Sequence, residues 1–120
     1  MQVINLDGTE DTPKVILDKA NGIFEVSGRS LPEDAADFYE PILKWLEEYA
    51  GAASAATKFK FKLEYFNTAS SKLILDILSK LEDISGSTVI WYYHEDDEDM
   101  QEAGEEFSEL VDVPFEFQTY

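Results

Sequence analysis

Five residues, Asn67-Thr68-Ala69-Ser70-Ser71, place one amide and three hydroxyls in a short joint between two patterned stretches. Before the joint, Phe59, Phe61, Leu63 and Tyr65 alternate with Lys58, Lys60, Lys62 and Glu64, the period of a strand with one apolar face. After it, Ile74, Ile77, Leu78, Leu81 and Ile84 recur at helical spacing, with Lys72, Asp76, Ser79, Lys80 and Asp83 opposite. The joint is thus a helix start, where Asn67 or Thr68 serves as N-cap and hydroxyls lie beside backbone N–H groups with no intrahelical acceptor. An anion is favoured there. A phosphate esterified to one of these hydroxyls would gain about 0.3–1 kcal/mol from the helix dipole. The same residues also serve as a plain, unmodified cap, and composition alone does not choose between the two.

Other chemistry is thinner. Eleven acidic residues and no basic one lie between Glu95 and Glu116. A calcium loop with Asp97, Asp99 and Gln101 at its first, third and fifth positions puts Glu102 where glycine is required and Ser108 where the bidentate glutamate belongs, so the match fails. A solvated helix start, its carboxylates facing the dipole, accounts for the run. His94 is the sole imidazole and there is no cysteine, which leaves no ligand set for zinc of the usual composition. No phosphate-binding glycine loop, dinucleotide fingerprint or nucleophile elbow occurs. A small carboxylate-dependent hydrolase ranks behind two binding roles, because no partner is placed beside the carboxylates. No cofactor is expected, and the fold is expected to need no metal.

The elements that must position the joint follow from the rest of the chain. Residues 1–13 read as an extended lead-in able to add an edge strand. Val15 and Leu17, then Phe24 and Val26 up to Gly28, flank Asn21-Gly22 as a hairpin with left-handed turn residues. Ser30 and Glu33 match a capping box with Pro32 in the first turn, so a helix is expected from Leu31, bearing Phe38, Tyr39, Ile42, Trp45, Leu46 and Tyr49 and kinked or restarted at Pro41. Gly51 stops it, and Ala52 to Thr57 form a small-residue connection. Val89, Trp91 and Tyr93 mark a strand inside the sheet, Met100, Ala103, Phe107 and Leu110 an acidic surface helix, and Phe115 to Tyr120 a last strand after Pro114. Alternating strands and helices make an α/β sandwich in which helices cover a partly parallel sheet.

With 120 residues the chain holds one core, and a single domain over residues 1–120 is expected. Nine basic against 26 acidic residues give a formal charge of -17, which repels nucleic acid and anionic membranes and suits a basic protein partner. No signal peptide or membrane-length apolar run stands out, so a cytoplasmic location is expected.

The stretch FKFKLEYFNTASSKLILDILSKLE resembles the SiaC family of bacterial regulatory phosphoproteins, which look like anti-sigma-factor antagonists of the STAS type. Thr12-Pro13, Gly22, GRSLPEDAADFYEPILKWLEEY, WYYHEDDEDMQEAGEEF and Pro114-Phe115 are similar to the family's other blocks in the same order, so nearly the whole chain is covered. The chain departs from the family's usual Asn-Thr-Ser-Ser at Ala69, and from its frequent Tyr and Asn at Leu31 and Asp34. The resemblance implies a STAS-like mixed sheet of about four to five strands with about three helices packed on it. It also implies that a dedicated ATP-dependent kinase phosphorylates Thr68, that a phosphatase reverses this, and that the unphosphorylated form controls an effector, a diguanylate cyclase in the best-known arrangement. On this reading Asn67, Ala69, Ser70, Ser71 and Lys72 are the partner-binding residues, and no catalytic residue is implied. The runner-up is an interaction module of the same fold that is never modified.

Overall fold

Four rows of side chains run across the sheet and decide how the chain is layered. The computed structural model describes residues 2–52 and 56–120. Six strands, β1 (Ile4–Leu6), β2 (Lys14–Asp18), β3 (Ile23–Ser30), β4 (Thr57–Phe66), β5 (Ser87–Tyr93) and β6 (Phe115–Thr119), lie side by side in chain order. The first three pair antiparallel and the rest parallel. The parallel pairs need crossovers, supplied by α1 (Ala35–Ala50), α2 (Thr68–Glu82) and α3 (Glu98–Leu110).

The row Leu17, Phe24, Phe59, Val89, Phe115 and the row Val15, Val26, Phe61, Trp91, Phe117 share one face, buried except at β6. Ile16, Glu25, Lys60, Ile90 and Glu116, between them, share the other face with Lys14, Ser27 and Lys62, whose ammonium lies over the Tyr92 ring. Trp45 and Tyr49 of α1 meet Phe24, and Phe107 of α3 meets Trp91, so these helices lie on the apolar face. α2 packs against α1 and buries Ile74, Ile77, Leu78 and Leu81 completely, each contributing roughly 1.5–3 kcal/mol. Helices therefore cover one face of the sheet rather than both.

Several expectations are corrected. The sheet has six strands, not four to five. Ser30 caps no helix: β3 continues through it, and α1 begins at Ala35 with Asp34 accepting from Asp37 N. Pairing with β4 outweighs the local capping signal. α1 runs through Pro41 without a restart. In the hairpin turn Gly22 alone has positive φ, at 66°, and Asn21 instead donates its side-chain amide to Asp18. Ile84 lies beyond the end of α2, although it is buried. The connection expected at Ala52 to Thr57 lies partly outside the described residues, and Thr57 already belongs to β4. The edge strand, the hairpin, the internal β5 and the final strand stand where expected.

Candidate functional site

The joint is aimed by a bulge three residues before it, at Glu64 of β4. Gly28 pairs with Leu63, but the next residue, Arg29, pairs with Tyr65, so Glu64 is an extra residue in β4. The alternation changes phase at this point. Tyr65, expected among the core residues, turns outward, 46% exposed under the Arg29 guanidinium, and Phe66 turns in to meet Phe107 of α3. The chain then enters α2 with Asn67 as the cap.

Asn67 Oδ1 accepts from Ser70 N at 2.8 Å, and Asn67 O accepts the first helical bond from Ser71 N at 3.1 Å. The backbone N–H groups of Thr68 and Ala69 keep no acceptor among the described residues. The three hydroxyls have separate fates. Ser70 is fully buried: its Oγ donates to Ser30 O at 3.0 Å and accepts from Ser30 Oγ at 2.9 Å, while Ser30 Oγ lies 2.7 Å from the Tyr39 hydroxyl. Ser30 O also accepts from Asn67 N at 3.0 Å. Ser71 Oγ donates to Thr68 O at 2.6 Å. Thr68, at the first helical position, is exposed, and its hydroxyl makes no hydrogen bond to the described residues. Ala69 and Lys72 are exposed beside it. Of the predicted set, then, Asn67, Thr68, Ala69, Ser71 and Lys72 reach the surface, and Ser70 works from beneath.

Burial pushes the Tyr39 phenol up to about 12, against the downward pull of its bond to Ser30. The supports Ser30 and Tyr39 escaped the sequence reading, Ser30 because it matched a capping box. Its place in the run Phe24, Val26, Gly28, Ser30 was the available sign of a strand. A second wall was also missed: a cavity of about 320 Å³ lies between Thr68 and Ser71 on one side and Ala103, Glu106, Phe107 and Leu110 of α3 on the other. Leu110, expected in the apolar stripe of α3, is 66% exposed, and Gly104 takes the buried place against Trp91. His94 stacks on Tyr120 and bonds its carbonyl at 3.0 Å. Among the described residues no group of three or more metal-ligating side chains occurs, and no helix is long and apolar enough to cross a membrane.

Residues 6–120 match the family model for the SiaC family regulatory phosphoprotein. An uncharacterized protein of Pseudomonas aeruginosa strain UCBPP-PA14 is 28% identical over 124 residues, covering 100% of this chain and 98% of the relative. Apo-SiaC from Pseudomonas aeruginosa superposes with a TM-score of 0.89 at 29% identity, over 98% of this chain and 99% of that one. A structure of the diguanylate cyclase SiaD in complex with its activator SiaC, also from Pseudomonas aeruginosa, matches with a TM-score of 0.91 at 28% identity, over the same shares.

Proposed function

Because the chain belongs to the SiaC family of regulatory phosphoproteins, we propose that it is a non-enzymatic switch with Thr68 as the phosphate acceptor. An ATP-dependent kinase adds the phosphate and a phosphatase removes it. The unphosphorylated form binds and controls an effector, a diguanylate cyclase, and residues 1–120 act as one unit. A kinase that draws on ATP places the cycle in the cytoplasm. The cyclase reading is supported by the similar Pseudomonas aeruginosa chain, described as an activator in complex with such an enzyme.

One observation carries the choice of residue: among the described residues Thr68 is the exposed hydroxyl without a partner, at a helix start that leaves two N–H groups without acceptors, whereas Ser70 is buried and Ser71 is bonded back to the Thr68 carbonyl. A phosphate brings about -1.5 to -2 charges and three acceptor oxygens, which the free N–H groups and Lys72, one turn on, favour. The helix therefore persists on modification. The effect falls on docking, since a desolvated dianion left unpaired costs several kcal/mol and weakens binding by orders of magnitude. Asn67, Ala69, Ser71 and Lys72 form the surface a partner meets.

Intact-mass measurement and fragment mapping on protein from its own host test the acceptor. Thr68→Ala is expected to resist the kinase and bind the cyclase like unmodified protein. Titration calorimetry of the host's cyclase against unmodified and stoichiometrically phosphorylated protein decides the switch, and equal affinities would overturn it.

A further inference from the structure

The sheet ends on two strands that have one neighbour each, and the two edges differ. β1 is three residues long, too short to template a further strand. β6 is five residues long, pairs with β5 in one unbroken register, and carries no lysine, proline or bulge. Edge strands are ordinarily blunted by such devices, and one without them is a surface for another strand. Its hydrogen bonds can be assigned. Val89 N donates to Pro114 O at 2.8 Å and Tyr120 N to Tyr93 O at 3.2 Å, so residues 114 and 120 face β5. Alternation along the parallel ladder gives Glu116 and Gln118 the same role and turns the N–H and C=O groups of Phe115, Phe117 and Thr119 outward. The apolar face is uncovered here as well. α3 packs on β4 and β5, and Phe117, at the end of the row that includes Phe61 and Trp91, is left 39% exposed.

We infer that β6 pairs with β6 of a second copy of this chain, antiparallel about a twofold axis through Phe117, joining two sheets into one. In this register Phe117 lies opposite its counterpart, Phe115 opposite Thr119, and Glu116 opposite Gln118. Every outward group then meets an outward group, giving about six N–H···O bonds. A shift by one residue sets outward groups against inward ones. A shift by two in one direction sets Glu116 against its counterpart, and in the other carries Phe115 past the end of the opposing strand. The strand is thus complementary to itself in one register, which selects a second copy over an unrelated strand. Glu116 is the single charge of β6, so two chains of formal charge -17 meet there with little local repulsion. The twofold contact uses up the β6 edge of each copy, and the assembly closes at two. A five-residue edge falls short of the roughly 1,000 Å² of a stable interface, so the dimer is weak, with Kd on the order of 10–100 µM at about 300 mM salt. At about 20 mM salt the net charges are less screened and Kd rises about tenfold. Thr68 follows β4, two strands in from β6, and the pairing does not depend on its modification.

Sedimentation velocity on the full chain, from about 5 to about 500 µM at both salt concentrations, is expected to show a monomer–dimer equilibrium that tightens with salt. Gln118 is exposed, so Gln118→Lys sets an ammonium opposite Glu116 without disturbing the fold and is expected to tighten the dimer about threefold or more, while Gln118→Glu weakens it by as much. Ser85→Lys, exposed between α2 and β5, changes the net charge as Gln118→Lys does and is expected to move Kd by less than about twofold. The chain has no cysteine, so Phe117→Cys places a single thiol at the axis, and mild oxidation is expected to link two copies there but not through Ser85→Cys. A monomer at every concentration and salt would overturn the inference and leave the edge to a strand of another protein. A dimer indifferent to the charge at position 118 and not linked through position 117 would overturn it too, because its interface would lie elsewhere.

Discussion

The proton of the Ser30 hydroxyl is given to Ser70, and that of Ser70 to the Ser30 carbonyl, which leaves Tyr39 as the donor in its own bond to Ser30. The three hydroxyls form a buried chain that works only while the phenol keeps its proton. Its folded pKa, about 12, lies above the ordinary value near 10. The folded state therefore holds the proton more tightly, and the stability this contributes is present below pH 10 and lost as pH rises from 10 to 12. Two pH units correspond to roughly 2–3 kcal/mol. Urea unfolding at pH 9 and pH 11 is expected to show about half of that loss, roughly 1 kcal/mol, and Tyr39→Phe is expected to flatten it. Ser70→Ala removes an acceptor from a buried hydroxyl and is expected to cost about 1–3 kcal/mol. Asn67→Ala removes only the cap and is expected to cost about 1 kcal/mol. Chemical denaturation of the two variants measures both, and a Ser70→Ala cost no larger than the Asn67→Ala cost would deny the chain its role.

Each element obeys its local pattern until a neighbour overrules it. The alternation of β4 reads correctly to Leu63, but the bulge at Glu64 is a property of the β3–β4 pair and leaves no mark in β4 itself. The cap at Asn67 was legible because capping is settled within four residues, and the same rule misled at Ser30, where sheet pairing took the residue first. The cavity between α2 and α3 was illegible because the two helices are brought together only by the fold. The phase of α3 is likewise set from outside, since Trp91 Nε1 donates to Met100 O at 3.0 Å and its indole fills the space over Gly104. A Cβ at position 104 would lie 2.6 Å from Trp91 Nε1, and Trp91 is fully buried with no room to retreat. Gly104→Ala would gain about 1 kcal/mol of helix propensity yet is expected to destabilise by about 1–3 kcal/mol net as α3 lifts. Thermal melting decides the sign.

At the scale of the whole molecule, charge is the term least balanced by the fold. Twenty-six acidic side chains face nine basic ones, and among the described residues two ion pairs are formed, Lys44 with Glu40 and Lys80 with Glu47. The first lies within α1, so the second alone ties two elements, α1 to α2. Both are solvent-exposed, and such pairs contribute about 0–1 kcal/mol. Added salt screens this small attraction and the much larger self-repulsion together. Repulsion dominates, so salt is expected to stabilise: raising sodium chloride from about 20 to about 300 mM should lift Tm by several degrees, a change of 1 kcal/mol being worth roughly 2–8 °C in a domain of this size. Sodium and choline chloride should act alike, because screening depends on ionic strength and not on the cation. The phosphorylated protein carries about two more negative charges and is expected to show the steeper rise. Scanning calorimetry across the salt series checks all three, and a Tm that falls with salt would mean that the ion pairs outweigh the repulsion.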